Sequence, residues 1–196
     1  MVAMTRFRLI TILTISCVVL AGCKAKPSTS ALKPAPLPAT IYPAASPCTA
    51  GPTTTAANPL PDLTLPCFTG AKGELNLRTI AGKPTLVTLW ASWCGPCLKE
   101  LPAMQRVYAK GKVSVVGINT ENDASAGVSL LNDLKITFPS VWDFAGRTLD
   151  RLPNVRRALP VTVFLDDTGE VRKVYQSVGF DDTTLASALH DYLGVA

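Results

Sequence analysis

Residues 85–97 read TLVTLWASWCGPC and decide the fold. The first seven of these residues form an unbroken, mostly apolar run with β-branched side chains, which is typical of a strand buried on both faces. The sequence WCGPC at residues 93–97 follows at once, and apolar residues then recur at helical spacing through Tyr108. The stretch therefore predicts a buried strand, a tight turn that carries two cysteines, and a helix.

The positions of the two cysteines suit thiol–disulfide chemistry. Cys94 falls at the predicted N-terminus of the helix, where unpaired N–H groups and the helix dipole stabilise an anion. A thiolate there has a lowered pKa, and the thiolate is the nucleophilic form of cysteine. Cys97 lies near enough along the first turn, which Gly95 and Pro96 shape, to form a disulfide with Cys94. We predict that the pair exchanges two electrons, with Cys94 attacking and Cys97 resolving the mixed disulfide.

The rest of the C-terminal region predicts an α/β domain. Strands are predicted at residues 62–65, 74–77, 85–91, 113–119, 161–165 and 171–178. Helices are predicted at residues 95–110, 124–134 and 181–193. This order of elements favours a central mixed β-sheet flanked by helices on both faces.

Residues 1–22 are typical of a secretory signal. Arg6 and Arg8 precede an apolar run at residues 9–20, which is shorter than the roughly 20 residues that a membrane-spanning helix needs. The small residues after this run end in Cys23 and resemble the lipobox of bacterial lipoproteins, whose cysteine is lipidated and becomes the new N-terminus. An ordinary signal peptide cleaved elsewhere and an uncleaved anchor are the alternatives.

Residues 23–58 are predicted to form a stem. They are rich in Pro, Ala, Ser and Thr, and they have too few large apolar residues to offset the conformational entropy of folding. The whole formal net charge of +5 lies in residues 1–58, with five basic and no acidic residues, whereas residues 59–196 contain 14 of each. A nucleic-acid-binding protein carries its positive charge on the folded face that meets phosphate. The charge distribution therefore argues against nucleic acid as a partner.

Residues 59–196 resemble the thioredoxin fold. The resemblance rests on WCGPC after an apolar strand, on Pro102 in the following helix, and on LPVT at residues 159–162 before a strand. The closer resemblance is to the TlpA/ResA-type thiol–disulfide oxidoreductases, through PDLTLP, GELNL, the VVGIN strand with an extra helix after it, and LPVTVFLDDTGEV. It implies a thioredoxin fold with an N-terminal β-hairpin extension and an extra helix after the second core strand.

The resemblance also implies a surface that holds the substrate. LPVT is similar to the family's cis-proline loop, so Pro160 is expected in the cis form, with Leu159 beside it. Trp93, Gly95 and Pro96 are expected to complete this substrate-binding surface around the cysteine pair.

A third catalytic residue follows from a departure from cytosolic thioredoxins. Those proteins place a buried aspartate in the strand before the motif, where this chain has Thr88. In the TlpA/ResA group a glutamate three residues after the second cysteine takes over, and Glu100 matches it. Because three residues along a helix lie on one face, Glu100 is expected beside Cys97, where it would relay protons to and from that thiol.

Two further cysteines, Cys48 and Cys67, lie outside the WCGPC motif and the predicted signal. In an oxidising space outside the cytoplasm we expect them to form a structural disulfide that contributes on the order of 3 kcal/mol. This bond would attach the end of the stem to the first strand. The alternatives are a second redox centre at Cys67 and a reduced pair.

The resemblance implies an enzyme that is lipid-anchored on the extracytoplasmic face of the bacterial cell membrane. The usual task of TlpA/ResA-type proteins is to reduce disulfides in exported proteins, including apocytochromes c that await haem. The expected partners are therefore exported thiols and disulfides and a membrane electron donor of CcdA/DsbD type. No cofactor beyond the Cys94–Cys97 disulfide is expected.

The W-C-x-x-C motif also bears on several alternative functions. A metal site is not expected, because C-x-x-C needs two further ligands. Residues 59–196 offer just one histidine, His190, late in the chain, and one further cysteine, Cys67. Leu98 stands where a c-type haem attachment needs histidine. A peroxiredoxin-type peroxidase uses a cysteine held by an upstream threonine and a nearby arginine, without the W-C-x-x-C pair. A disulfide-forming oxidase and a non-catalytic binding module stay open, because a reduction potential depends on surroundings that a motif does not define.

Overall fold

The computed structural model describes residues 46–67, 69, 73–177 and 179–195. The strands in these ranges are β1 (Thr64–Pro66), β2 (Glu74–Asn76), β3 (Thr85–Trp90), β4 (Ser114–Asn119), β5 (Ser140–Trp142), β6 (Val161–Leu165) and β7 (Val171–Gln176). The α-helices are α1 (Gly95–Ala109), α2 (Ala124–Asp133), α3 (Arg147–Arg151) and α4 (Asp182–Leu193).

The central sheet has the strand order β5-β4-β3-β6-β7. β3, β4 and β5 run parallel, whereas β6 is antiparallel to both β3 and β7. β1 and β2 form a separate antiparallel hairpin. The predicted mixed sheet, flanking helices, N-terminal hairpin and extra helix after β4 are all confirmed.

The middle of the sheet is covered on both faces. All six side chains of β3 are buried, because successive side chains of a strand point to opposite faces and both faces are occupied. Leu86 and Trp90 pack with α1, α2 and α4, whereas Val87 and Leu89 pack with the β1–β2 hairpin and α3. This two-sided burial is the physical reason for the unbroken apolar run before WCGPC.

β5 and α3 are absent from the elements predicted from the sequence. β5 has three residues and α3 has five, so neither is long enough to display a hydrophobic period. The chain between them passes through Ala145 and Gly146, which have φ values of 66° and 65°. That left-handed backbone breaks any regular pattern over this segment.

Residues 46–58 differ from the predicted stem, because they lie against the domain. The backbone N–H of Ser46 donates to the carbonyl of Thr137 at 2.7 Å, and the N–H of Thr54 donates to the carbonyl of Arg78 at 2.8 Å. The carbonyl of Asn58 accepts from the N–H of Val171 at 2.9 Å. Backbone hydrogen bonds hold this segment where apolar side chains are scarce, so composition alone placed the start of the folded part too late, at residue 59.

The predicted signal at residues 1–22, the predicted lipidation site Cys23 and the first part of the predicted stem lie outside the described residues. Over the described part of the chain, no helix combines the length and apolar character needed to cross a membrane.

Candidate active site

The WCGPC turn forms where β3 ends. The backbone N–H of Cys94 donates to the carbonyl of Ala91 at 3.1 Å, which closes a tight turn after the strand. Cys94 has extended backbone angles and is the N-cap of α1, with Pro96 in the first turn of the helix. Pro suits this position because its missing N–H would have no helical partner there. Cys94 therefore sits at the helix N-terminus, as the sequence predicts.

The first turn of α1 directs a donor at the Cys94 sulfur. The backbone N–H of Cys97 donates to Cys94 Sγ at 3.3 Å, and both cysteines are buried, with 4% and 1% of their surfaces exposed. In the reduced protein, the same N–H and the helix dipole stabilise a thiolate at Cys94. The less exposed Cys97 lies deeper in the helix, which suits it to act after Cys94.

The structure joins Cys94 and Cys97 as a disulfide, with their Cα atoms 5.2 Å apart. The short separation follows from the position of both cysteines in the first turn of α1. A disulfide at the surface end of a helix can accept an external thiolate, and the dithiol can attack an external disulfide.

The proline loop stands at the same end of the sheet as the cysteines. The Leu159–Pro160 bond is cis, and Pro160 directly precedes β6, whose Val161 pairs with Leu89 near the end of β3. Pro160 is buried, and its carbonyl accepts from the N–H of Ser177 at 2.8 Å. The register of β3 and β6 therefore brings the predicted substrate loop to the motif.

Trp93 faces solvent beside this loop. It is 72% exposed and is the large hydrophobic residue that stands out on the surface of the described ranges. Gly95 and Pro96 are exposed as well. A groove of about 420 Å³ is lined by Trp93, Thr120, Asn122, Ala145, Gly146, Leu149, Arg157, Ala158 and Leu159. The lining combines apolar side chains with polar ones from Thr120, Asn122 and Arg157, a mixture that suits a peptide ligand.

Glu100 is fully buried beneath the motif. One carboxylate oxygen accepts hydrogen bonds from the hydroxyls of Thr88 and Thr162, each at 2.9 Å, and the other accepts from the backbone N–H of Phe180 at 3.4 Å. Thr88 and Thr162 are directly opposite each other on β3 and β6. Glu100 therefore joins α1 to two strands and to the loop before α4, and Thr88 serves the glutamate rather than replacing the aspartate of cytosolic thioredoxins.

Burial raises the pKa of Glu100 to about 7, and the hydrogen bonds from Thr88, Thr162 and Phe180 partly oppose this rise. Removal from water disfavours the charged carboxylate, whereas donated hydrogen bonds favour it. Near neutral pH the group is therefore divided between its two protonation states. Glu100 lies three residues after Cys97 and is buried with it, so the helix places a proton acceptor of neutral pKa on the face of the second cysteine.

A second buried carboxylate near the motif was missed by the sequence analysis. Glu121 follows β4, is 5% exposed, and accepts hydrogen bonds from Ser92 inside the turn. The signal available in the sequence was an acidic residue two positions after the apolar VVGIN run, at the end of a strand next to β3. Its meaning depends on the parallel pairing of β3 and β4, which a motif search does not include.

Cys48 and Cys67 are joined as a disulfide, with Cα atoms 6.1 Å apart. Cys67 is buried in the part of the core that packs between the sheet and the β1–β2 hairpin, and Cys48 is half-buried against it. The active-site cysteines belong to the core on the other face of the sheet. The bond thus connects residues 46–58 to the hairpin side of the domain, away from the helix that carries the active site.

Comparison with known proteins places these features in a family. A family model described as Redoxin matches residues 55–189. The chain is 29% identical to the thiol-disulfide oxidoreductase ResA of Bacillus subtilis over 125 residues, which cover 62% of this chain and 66% of ResA. It is 31% identical to the thiol:disulfide interchange protein DsbE of Pseudomonas aeruginosa over 121 residues, which cover 62% of this chain and 66% of DsbE. The chain thus spans just under two thirds of the length of these two relatives.

The fold is similar to that of solved disulfide oxidoreductases. A secreted Mycobacterium tuberculosis disulfide oxidoreductase homologous to E. coli DsbE matches with a TM-score of 0.57 and 25% sequence identity. The match covers 66% of this chain and 96% of that protein. The predicted thioredoxin-like fold is therefore confirmed.

Proposed function

Since this chain belongs to the Redoxin family, within the thioredoxin-like superfamily, we propose that it reduces disulfides in exported proteins through Cys94 and Cys97. Its similarity to ResA and DsbE supports the predicted class of thiol–disulfide oxidoreductase. The observation that carries this proposal is the Cys94–Cys97 disulfide at the N-terminus of α1. The surrounding site provides thiolate stabilisation at Cys94 and an adjacent groove for a peptide.

The reaction begins with the dithiol form of the enzyme. The Cys94 thiolate attacks one sulfur of the substrate disulfide, forms a mixed disulfide, and releases the other substrate sulfur as a thiolate that takes up a proton. Cys97 then loses its proton and attacks Cys94 Sγ. This second step forms the Cys94–Cys97 disulfide and releases the second substrate thiol, so two electrons pass from the enzyme to the substrate.

In the second step, Glu100 accepts the proton of the Cys97 thiol. The Cys97 thiol is a poor nucleophile until it is deprotonated, and it is buried away from water. A carboxylate with a pKa of about 7 on the same helix face can take that proton at neutral pH and return it when the disulfide is reduced again. The substrate chain lies along the Trp93 groove, with its backbone beside Leu159 and Pro160.

The direction and the partners are part of the same proposal. The resemblance to TlpA/ResA-type proteins favours reduction, with apocytochromes c among the substrates and a CcdA/DsbD-type membrane protein returning the enzyme to the dithiol form. A dithiol donor is required because each turnover leaves Cys94 and Cys97 oxidised. A disulfide-forming oxidase would run the same exchange in reverse.

The reduction potential of the Cys94–Cys97 pair tests the direction. We expect a value near or below that of thioredoxin, roughly −270 mV, together with dithiothreitol-dependent reduction of a disulfide peptide. Equilibration with glutathione or dithiothreitol, followed by mass spectrometry of the alkylated protein, measures the potential. A strongly oxidising potential near that of DsbA, about −120 mV, would contradict reduction, and an inert pair would contradict the whole function.

We also propose that lipidation of Cys23 anchors the protein to the extracytoplasmic face of the cell membrane. The support is the sequence of the first 23 residues, in which a short apolar run ends in small residues and cysteine. The expected result is a full-length protein that incorporates labelled palmitate and sediments with membranes. A Cys23→Ser variant should lose both properties, and membrane association that is equal in the two proteins would refute the anchor.

A further inference from the structure

The turn that holds Cys94 is attached to the neighbouring strand through one carboxylate. Glu121 Oε1 accepts the backbone N–H of Ser92 at 2.8 Å, and Glu121 Oε2 accepts the Ser92 hydroxyl at 2.5 Å. Ser92 lies within the turn that the Cys94 N–H closes onto Ala91 at 3.1 Å. A single side chain therefore binds both hydrogen-bond donors of the residue two positions before the nucleophile.

Glu121 is itself held through its side chain and its backbone. Asn119 Nδ2 donates to Glu121 Oε1 at 2.7 Å, and the Trp142 indole N–H donates to the Glu121 backbone carbonyl at 2.7 Å. Gly127 of α2 packs so closely that a Cβ there would come within 3.1 Å of Glu121 Oε1. Asn119 at the end of β4 and Gly127 of α2 thus confine the carboxylate, and Trp142 of β5 holds the backbone that carries it.

The preceding residue continues the connection between β3 and β4. The backbone N–H of Thr120 donates to the carbonyl of Trp90 at 3.0 Å, at the point where both strands end. Glu121 then bonds Ser92, beyond the end of β3. The hydrogen bonds between the two strands therefore extend past the sheet into the cysteine turn.

We propose that Glu121 is a positioning residue that holds the Ser92 turn so that Cys94 stays at the N-terminus of α1. This inference rests on the proposed exchange reaction. Cys94 gains its reactivity from that place, because the N–H of Cys97 and the helix dipole act over the first turn only. A loosened turn would move the sulfur away from these groups, and small displacements of a reacting atom lower rates steeply.

The proposed role of Glu121 depends on its hydrogen bonds and not on its negative charge. The donors that meet its carboxylate are the backbone N–H and hydroxyl of Ser92 and the side-chain amide of Asn119, which are all neutral groups. A glutamine keeps one carbonyl oxygen for the Ser92 N–H and the Asn119 amide, and its NH₂ group can donate to the Ser92 hydroxyl, which rotates to accept. Glu121→Gln therefore keeps the attachment and removes only the charge, whereas Glu121→Ala removes both.

The test compares these two variants in the full-length protein. For Glu121→Ala we expect the rate of peptide disulfide reduction to fall about tenfold or more, and the pH midpoint for alkylation of Cys94 to rise. Glu121→Gln should keep the wild-type rate and midpoint. Ser92→Ala, which lacks only the hydroxyl donor, should show a smaller loss in the same direction and serves if Glu121→Ala does not fold. Glu74→Ala, at an exposed position on β2, is the matched control and should equal wild type.

The results separate a positioning role of Glu121 from a purely structural role and from an effect of its charge. A lower melting temperature in Glu121→Ala with an unchanged Cys94 midpoint would reduce Glu121 to a structural role and overturn the inference. Equal effects in Glu121→Gln and Glu121→Ala would assign the effect to charge and overturn it as well. If wild type itself reduces no disulfide, the proposed function fails, whereas an active wild type with an equally active Glu121→Ala refutes only the role of Glu121.

Discussion

Replacing Cys97 with alanine is expected to stop turnover and to trap the substrate on Cys94. The Cys94 thiolate still attacks the substrate disulfide, but the intramolecular step that releases the product has lost its nucleophile. External thiols must then resolve the mixed disulfide, and they lack the high effective concentration of a neighbouring group. We expect turnover to fall on the order of a thousandfold or more, because intramolecular reactions of this kind have very large effective molarities.

The trapped species is measurable directly. The Cys97→Ala protein, mixed with a disulfide-bonded peptide, should gain the mass of one peptide chain in intact-protein mass spectrometry, and dithiothreitol should remove it. The double variant Cys94→Ser, Cys97→Ala is the control and should gain nothing. An adduct on the double variant would show that Cys94 is not the attacking residue. A Cys97→Ala variant that turns over at the wild-type rate would show that Cys97 does not resolve the mixed disulfide.

Glu100→Gln is expected to change both the activity profile and the stability of the protein with pH. Activity of the wild type should rise through about pH 7 as Glu100 ionises and can accept the Cys97 proton. Glutamine cannot accept it, so the variant should lose this inflection. Rates of peptide reduction at saturating donor between pH 5.5 and 8.5 measure the effect.

The stability change has a defined sign. The folded pKa of Glu100, about 7, lies above its ordinary value of 4.5, so folding favours the neutral acid. The resulting stabilisation is fully present below about pH 4.5 and is lost as the pH rises through about 7. The difference between the pKa values of Glu100 in the folded and unfolded protein corresponds to about 3 kcal/mol in the free energy of unfolding. Urea unfolding of the oxidised protein between pH 4.5 and 8 should show this decline.

Glu100→Gln should lack that decline, because a glutamine does not titrate. Glu74→Gln is the matched control, since Glu74 is exposed on β2, and it should follow the wild-type curve. If Glu100→Gln loses stability with rising pH as steeply as wild type, then Glu100 is not the group responsible. Measurements on the oxidised protein keep the cysteine thiols from contributing.

The active site divides into residues that the sequence could place and residues that it could not. The N-cap position of Cys94 and the first turn of α1 depend on neighbours a few residues away, so a strand followed by WCGPC was sufficient to predict them. The buried environment of Glu100 depends on Thr88, Thr162 and Phe180, which are 12, 62 and 80 residues away in the chain. Helical spacing put Glu100 on the face of Cys97, but it did not define the donors or the burial that raises its pKa.

The same division holds in the rest of the domain. β5 and α3 are too short to carry a hydrophobic period, yet the loop between them lines the groove beside Trp93. Residues 46–58 look like an unstructured stem by composition, and backbone hydrogen bonds to distant segments hold them on the domain. In each case the interactions that decide the structure join residues far apart in the chain.

By itself, the sequence determined the strand–turn–helix unit, the two reactive cysteines and the order of the main elements, because these depend on local periodicity and on the chemistry of adjacent residues. Only the tertiary structure decided what surrounds that unit. The pairing of β3 with β4 and β6 brings Glu121, Thr162 and Pro160 to the end of the strand that carries WCGPC. Residues 85–97 contain the two cysteines of the proposed reaction. The long-range contacts of the fold bring the carboxylates of Glu121 and Glu100 to this stretch, because their partners Ser92 and Thr88 lie within it.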